Sequence, residues 1–213
     1  QTGPRYFNSV FFYSPGMDRF EKYDKIRLVP FSEQLPFENV IPLISRVELG
    51  QADFTVGEAL KFFAVRGRQI FTPICYEVVY PEQIRDFVRA GGDLMVHVTN
   101  DGWFGRSGMP YQHFNIARFR AVECGIPAVQ CANTGVSGFI DPFGQIRAAT
   151  SIYTCAVAVA PIVSPKIDTY FARHGDWVGW FSLWIFLGTG LLVLLETIIL
   201  KIKRRKLPDG AHG

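Results

Sequence analysis

Most of the chain alternates between strand-like and helix-like spacing of apolar positions, and near its end it abandons both for an unbroken apolar run. RYFNSVFFY (5–13) reads as a strand that stops at Ser14-Pro15-Gly16. YDKIRLVPF (23–31) reads as an extended segment, because Pro30 cannot continue a helix. Residues 34–58 hold Pro and Gly without a clean period and read as a long loop with room for one short helix. RQIFTPI then predicts a strand running into Cys75. PEQIRDFVRAGG predicts a helix that starts at Pro81 and closes at Gly91-Gly92. DLMVHVT is a second strand, ended by the turn-forming Asn100-Asp101-Gly102. YQHFNIARFRAVECG is a second helix, with Phe114, Ala117, Ala121 and Cys124 on one face. IPAVQCANT and SGFIDPFGQIRAA follow as strands, the latter folded into a hairpin at Asp141-Pro142-Phe143-Gly144. This order of strand, helix, strand, helix, strand predicts an α/β domain. In such a sheet ligands gather beyond the carboxyl ends of the strands, where Cys75 and the Asn100 turn both fall.

The run from Val178 to Leu200 carries one charge, Glu196, which is expected to snorkel or pair near the basic end. As a helix at ~1.5 Å per residue it spans roughly 34 Å, enough for a ~30 Å hydrocarbon core. Trp177, Trp180 and Trp184 cluster at one end and KIKRRK sits at the other. By the positive-inside tendency this predicts a transmembrane helix over 177–200, a cytoplasmic basic tail over 201–213 and an outward-facing domain over 1–172.

Composition adds less. Of 213 residues, 48% are hydrophobic and 19% charged, as a packed core requires. The formal charge of +3 owes five positive charges to KIKRRK, and that run follows an apolar segment directly, which favours a membrane flank over nucleic-acid binding. Cys75, Cys124, Cys131 and Cys155 form no CxxC pair, so neither a metal nor a cofactor is expected. Cys124, Cys131 and Cys155 are expected to be buried thiols. The first residue is Gln1 and a strand begins almost at once, which reads as a start inside a folded domain.

YxKxxLVPFxE around Lys25, followed downstream by ICYE around Cys75, resembles the lysine and cysteine motifs of the nitrilase superfamily. NDGWFG (100–105), HFNIARFRAVE (113–123), NTGVSGFIDPFG (133–144) and the RHGDW that introduces the last helix resemble its membrane-bound branch, the apolipoprotein N-acyltransferases. The resemblance covers nearly the whole chain. It implies the C-terminal portion of a nitrilase-like αββα sandwich followed by one transmembrane helix, in a bacterial inner membrane with the catalytic part facing the periplasm.

The resemblance also implies a Glu, Lys and Cys triad, of which Lys25 and Cys75 are two members. The third, a general-base glutamate, is expected on a part of the protein outside this sequence, since no carboxylate upstream of Lys25 sits in a matching motif. The family chemistry would have Cys75 attack a phospholipid ester, form a thioester and pass the acyl chain to the α-amine of a diacylglyceryl-modified lipoprotein cysteine. Lys25 and the Tyr76 amide would stabilise the oxyanion. Glu33 would orient Lys25, although Ser32 stands where the family has glycine. Glu77 and Tyr76 would support the nucleophile, and Trp103 and Phe104 would line an acyl or headgroup pocket. His113 reads as a structural histidine of the helix start, and Arg118, Arg120 and Glu123 as ion-pairing residues. Two alternatives stand beside this one: a membrane-tethered nitrilase or amidase hydrolysing a carbon–nitrogen bond, and an inactive lipoprotein-binding fragment.

Overall fold

A computed structural model describes residues 4–16, 18–34, 54–162 and 167–206, the last four as backbone. Most of the loop expected over 34–58 lies outside the described residues. The chain divides into two units, Gln1–Arg173 and His174–Gly213.

The first unit is built on a six-stranded mixed sheet in the order β3-β4-β5-β6-β7-β8, with β1 (Ser9–Phe12) and β2 (Glu21–Asp24) forming a separate antiparallel pair. Its centre is β4 (Arg68–Phe71), α1 (Pro81–Arg89), β5 (Leu94–Thr99), α2 (Met109–Cys124) and β6 (Ala128–Ala132), with β4, β5 and β6 parallel. This is the expected order of elements. The hairpin of β7 (Gly138–Ile140) and β8 (Ile146–Ala149) turns at the expected place. There the Asp141 carboxylate accepts from the amides of Phe143 and Gln145 and pairs with Arg147. Burial pushes the Asp141 pKa up, but the hydrogen bonds from Gln145, Arg147 and Phe143 outweigh it and hold the group below the usual carboxylate range. β3 (Phe63–Val65) was not expected. It pairs with β4 through the tight turn Arg66-Gly67, whose residues have φ of 49° and 79° as a twisted two-residue hairpin needs.

Period-2 alternation sorts the faces of the sheet. Met95 and His97 on β5 and Ala128 and Gln130 on β6 are buried, whereas Val96, Val98, Val129 and Cys131 are less so. The buried face packs against Ile84, Phe87 and Val88 of α1 and Phe114, Ala117, Ala121 and Cys124 of α2, the face expected of that helix. Phe71 stacks on Phe87 at 4.7 Å in the middle of this core. Gly125 ends α2 at φ 64°, the left-handed cap that glycine adopts without strain. Arg120 pairs with Glu123 as expected, while Arg118 instead donates to the Gly144 carbonyl. A short helix, α3 (Tyr170–His174), follows, and the Arg85 guanidinium donates to the carbonyls of Phe171, Ala172 and Arg173.

The second unit is the single helix α4 (Trp177–Lys206), of which Trp177–Ile202 is long and apolar enough to cross a membrane. The hydroxyls of Thr189 and Thr197 donate back to the carbonyls of Ile185 and Val193, so neither polar group is left without a partner in the apolar run.

Candidate active site

The nucleophile candidate sits where β4 runs out. Ile74 bridges to Val98, the Val98 amide donates to the Pro73 carbonyl at 3.2 Å, and the chain turns at Cys75 into a 3₁₀ turn (Cys75–Val79). Cys75 has φ 50°, a conformation that costs a residue with a Cβ roughly 1–3 kcal/mol and persists only where its surroundings impose it. Two imidazoles meet its carbonyl oxygen. His97 Nε2 of β5 lies 3.0 Å away and His113 Nε2 of α2 lies 3.3 Å away.

Glu77 holds the turn from below. Its carboxylate is fully buried and accepts five hydrogen bonds, from the amides of Ile74, Ile26 and Arg27, the Tyr23 hydroxyl and the Gln83 side chain. These donors join the 3₁₀ turn to β2, to the segment after it and to α1. One carboxylate thereby fixes the Lys25 strand against the Cys75 turn. Burial, and then the charge and hydrogen bond of Glu77, push the Tyr23 pKa up, so Tyr23 remains a donor.

Lys25 is buried, and its ammonium donates to Glu33 Oε2 at 2.6 Å. The same oxygen accepts from the Val29 amide, and Oε1 accepts from Asn8. Gly57 backs this strand: its amide donates to the Lys25 carbonyl, and a Cβ there would lie 2.1 Å from the Asp24 carbonyl oxygen. Glu33 and Cys75 both line one cleft of about 1070 Å³ whose apolar walls include Val10, Val79, Val98, Phe104 and Ile116. Tyr76, Trp103 and Phe104 line it too. Trp103 is 73% exposed, so it stands at the rim and not in the core. The structure thus gathers Cys75, Tyr76, Glu33, Trp103 and Phe104 around one cavity, with Lys25 bonded to Glu33 and Glu77 beneath the turn.

Sequence reasoning missed Tyr23 and Gln83, which are buried partners of Glu77, and the pair His97–Gln130, whose Nδ1 and Oε1 lie 2.9 Å apart. The available signal was the alternation of β5, which sends His97 to the same side as Met95. It also gave His113 no partner, whereas the structure pairs His113 with Asp101 at 2.8 Å.

The other cysteines require a correction. Cys124 is buried, and burial, with Glu123 adding to it, pushes its thiol pKa up to about 12, which leaves it inert. Cys131 and Cys155 were expected to be buried and are exposed. Alternation along β6 gives the core to Gln130 and the outer face to Cys131, and Cys155 follows the sheet's last strand in a stretch with no regular element.

A parallel βαβαβ core presenting a cysteine at a strand end is consistent with a nitrilase-like domain, and the chain belongs to the carbon-nitrogen hydrolase family, whose profile matches residues 1–170. Among solved structures, Nit3 of Saccharomyces cerevisiae, a member of branch 10 of the nitrilase superfamily, shares the fold. It superposes with a TM-score of 0.50 at 19% identity over 69% of this chain and 50% of its own. Curated relatives are named apolipoprotein N-acyltransferase. One from Geobacter metallireducens is 39% identical over 176 residues, 83% of this chain and 34% of the relative. Another, from Rhodopseudomonas palustris, is 36% identical over 210 residues, 97% of this chain and 37% of the relative. The chain spans about a third of the length of these relatives.

Proposed function

We propose that this chain carries the nucleophile and the oxyanion-stabilising lysine of an apolipoprotein N-acyltransferase. The observation that carries this reading is the cleft itself: an apolar cavity of acyl-chain size with Cys75 at a strained strand end and Glu33, bonded to buried Lys25, at its wall. The relatives' name supports the same activity.

In this mechanism a base takes the Cys75 proton as the sulfur attacks the ester carbonyl of a phospholipid. The carbonyl oxygen becomes an oxyanion, stabilised by the Lys25 ammonium and the Tyr76 amide. Collapse expels the alcohol of a lysophospholipid, which takes the proton from the base, and leaves a thioester on Cys75. The α-amine of a diacylglyceryl cysteine on a lipoprotein then attacks the thioester. The base removes the amine's proton and returns one to the sulfur, giving an amide and the free thiol. Among the described residues the Cys75 thiol has no hydrogen-bond partner, which supports a base outside them and an inactive chain when taken alone. Glu33 orients Lys25, Glu77 and Tyr76 support the nucleophile turn, and Trp103 and Phe104 contact the lipid. α4 anchors the domain in the inner membrane, with the cleft on the periplasmic side and the basic end in the cytoplasm.

Mass spectrometry of the full-length protein incubated with phospholipid tests this. An acyl adduct on Cys75 that disappears on adding a diacylglyceryl peptide is expected, and normal lipoprotein turnover by Cys75→Ala would overturn it. Hydrolysis of a nitrile or small amide without a phospholipid-derived adduct would favour a membrane-tethered amidase.

A further inference from the structure

The carbonyl of Cys75 is approached by two imidazoles, and one of them is fixed by a buried carboxylate. Asp101 is fully buried, and its Oδ1 accepts from the Thr99 hydroxyl at 2.9 Å while facing His113 Nδ1 at 2.8 Å. Among the described residues its Oδ2 has no partner, and Gly135 packs so closely on it that an added Cβ would lie 2.0 Å away. A proton on Oδ2 would be a buried hydroxyl with no acceptor, and one on Oδ1 would displace the Thr99 donor. The proton between Asp101 and His113 therefore belongs on His113. The Nδ1 proton of His113 thus points at Asp101, and its Nε2 faces the Cys75 carbonyl at 3.3 Å.

His97 is in the opposite position. The Gln130 amide nitrogen donates to the Val136 carbonyl at 3.0 Å, so its Oε1 must face His97 Nδ1, which carries the ring's proton. Burial first, and then the neighbouring His113, lower the His97 pKa to about 4, so this ring stays neutral. The two rings at the carbonyl thus differ in their anchors, an amide for His97 and a carboxylate for His113.

We propose that Asp101 and His113 are positioning residues for the nucleophile: the buried carboxylate fixes the His113 ring, and the ring's Nε2 holds the Cys75 carbonyl. This contact holds the cysteine at φ 50° where it lines the cleft. The groups that face the His113 ring are Asp101 after β5, His97 on β5, Cys75 on its 3₁₀ turn and the edge of Phe104. Asp101 is the carboxylate among them. The proposal rests on Cys75 being the nucleophile, the role given to it above.

The test is the rate of Cys75 alkylation by iodoacetamide in the full-length detergent-solubilised protein, read peptide by peptide by mass spectrometry from pH 6 to 9. His113→Leu and Asp101→Asn should slow Cys75 at least tenfold at pH 7, while exposed Cys131 reacts as before. His113→Gln restores an N–H donor to the carbonyl, so it should recover most of the rate. Unchanged Cys75 rates in His113→Leu and Asp101→Asn would overturn the proposal. Asp101→Asn decides the matter if His113→Leu unfolds, an event that alkylation of buried Cys124 would report. Iodoacetamide needs no acyl donor, so failure of phospholipid to acylate Cys75 would count against the acyltransferase alone.

Discussion

Two glutamates flank the Cys75 cleft, and they do different things with the same functional group. Glu77, under the turn, has its lone pairs taken by five donors from three separate segments, and it is sealed from solvent. Glu33, at the wall, accepts from Lys25, Val29 and Asn8 and keeps an edge on the cleft. A carboxylate whose acceptors are consumed by the chain's own amides and hydroxyls holds geometry. One whose main partner is an ammonium, at the wall of the cleft, is proposed to govern charge. The contrast predicts that damage below the turn appears as lost stability and damage at the wall as lost rate.

Glu77→Ala should break this contrast most severely. It strands five donors in the interior and should lower unfolding free energy by about 3–5 kcal/mol, measured by denaturant titration. A loss below about 1 kcal/mol would mean that the floor is not fixed by this group. Glu33→Gln keeps an oxygen for Lys25, removes the charge and turns an amide nitrogen towards Asn8. Cys75 acylation by phospholipid should fall ~10²-fold or more while stability drops by about 1 kcal/mol. Equal stability losses for the two variants would erase the distinction.

The floor also predicts a pH dependence. His97 in the native state declines a proton until about pH 4, whereas an unfolded histidine takes one below about 6.5. Stability should therefore be complete above about pH 6.5 and fall by about 3 kcal/mol as the pH drops towards 4, then level off. Denaturant titrations at pH 4.5 and 7.5 measure this, and His97→Gln should flatten the difference. At the wall, Gly57→Ala places a methyl against the Asp24 carbonyl and should push the Lys25 strand away at a cost of about 1–3 kcal/mol, with a lower acylation rate. An unchanged rate would show that Lys25 tolerates a shifted backbone.

Periodicity alone set out the βαβαβ order, the buried face of α2, the Asp141 hairpin and the apolar length of α4, because each depends on residues only a few positions apart. Motif resemblance picked out Lys25, Glu33, Cys75 and Glu77. It did not reveal that Glu77 reaches Tyr23 across 54 positions, nor that His113 meets the Cys75 carbonyl across 38. β3 escaped notice because a three-residue strand carries too little pattern, although Arg66-Gly67 was a usable turn signal. Cys131 looked buried because a strand residue's face is known only once the sheet has a covered side. Local spacing determines which segments form helix and strand. Which buried donors meet which acceptors, and so which histidines reach the Cys75 carbonyl, is decided only when distant segments pack and exclude water from between them.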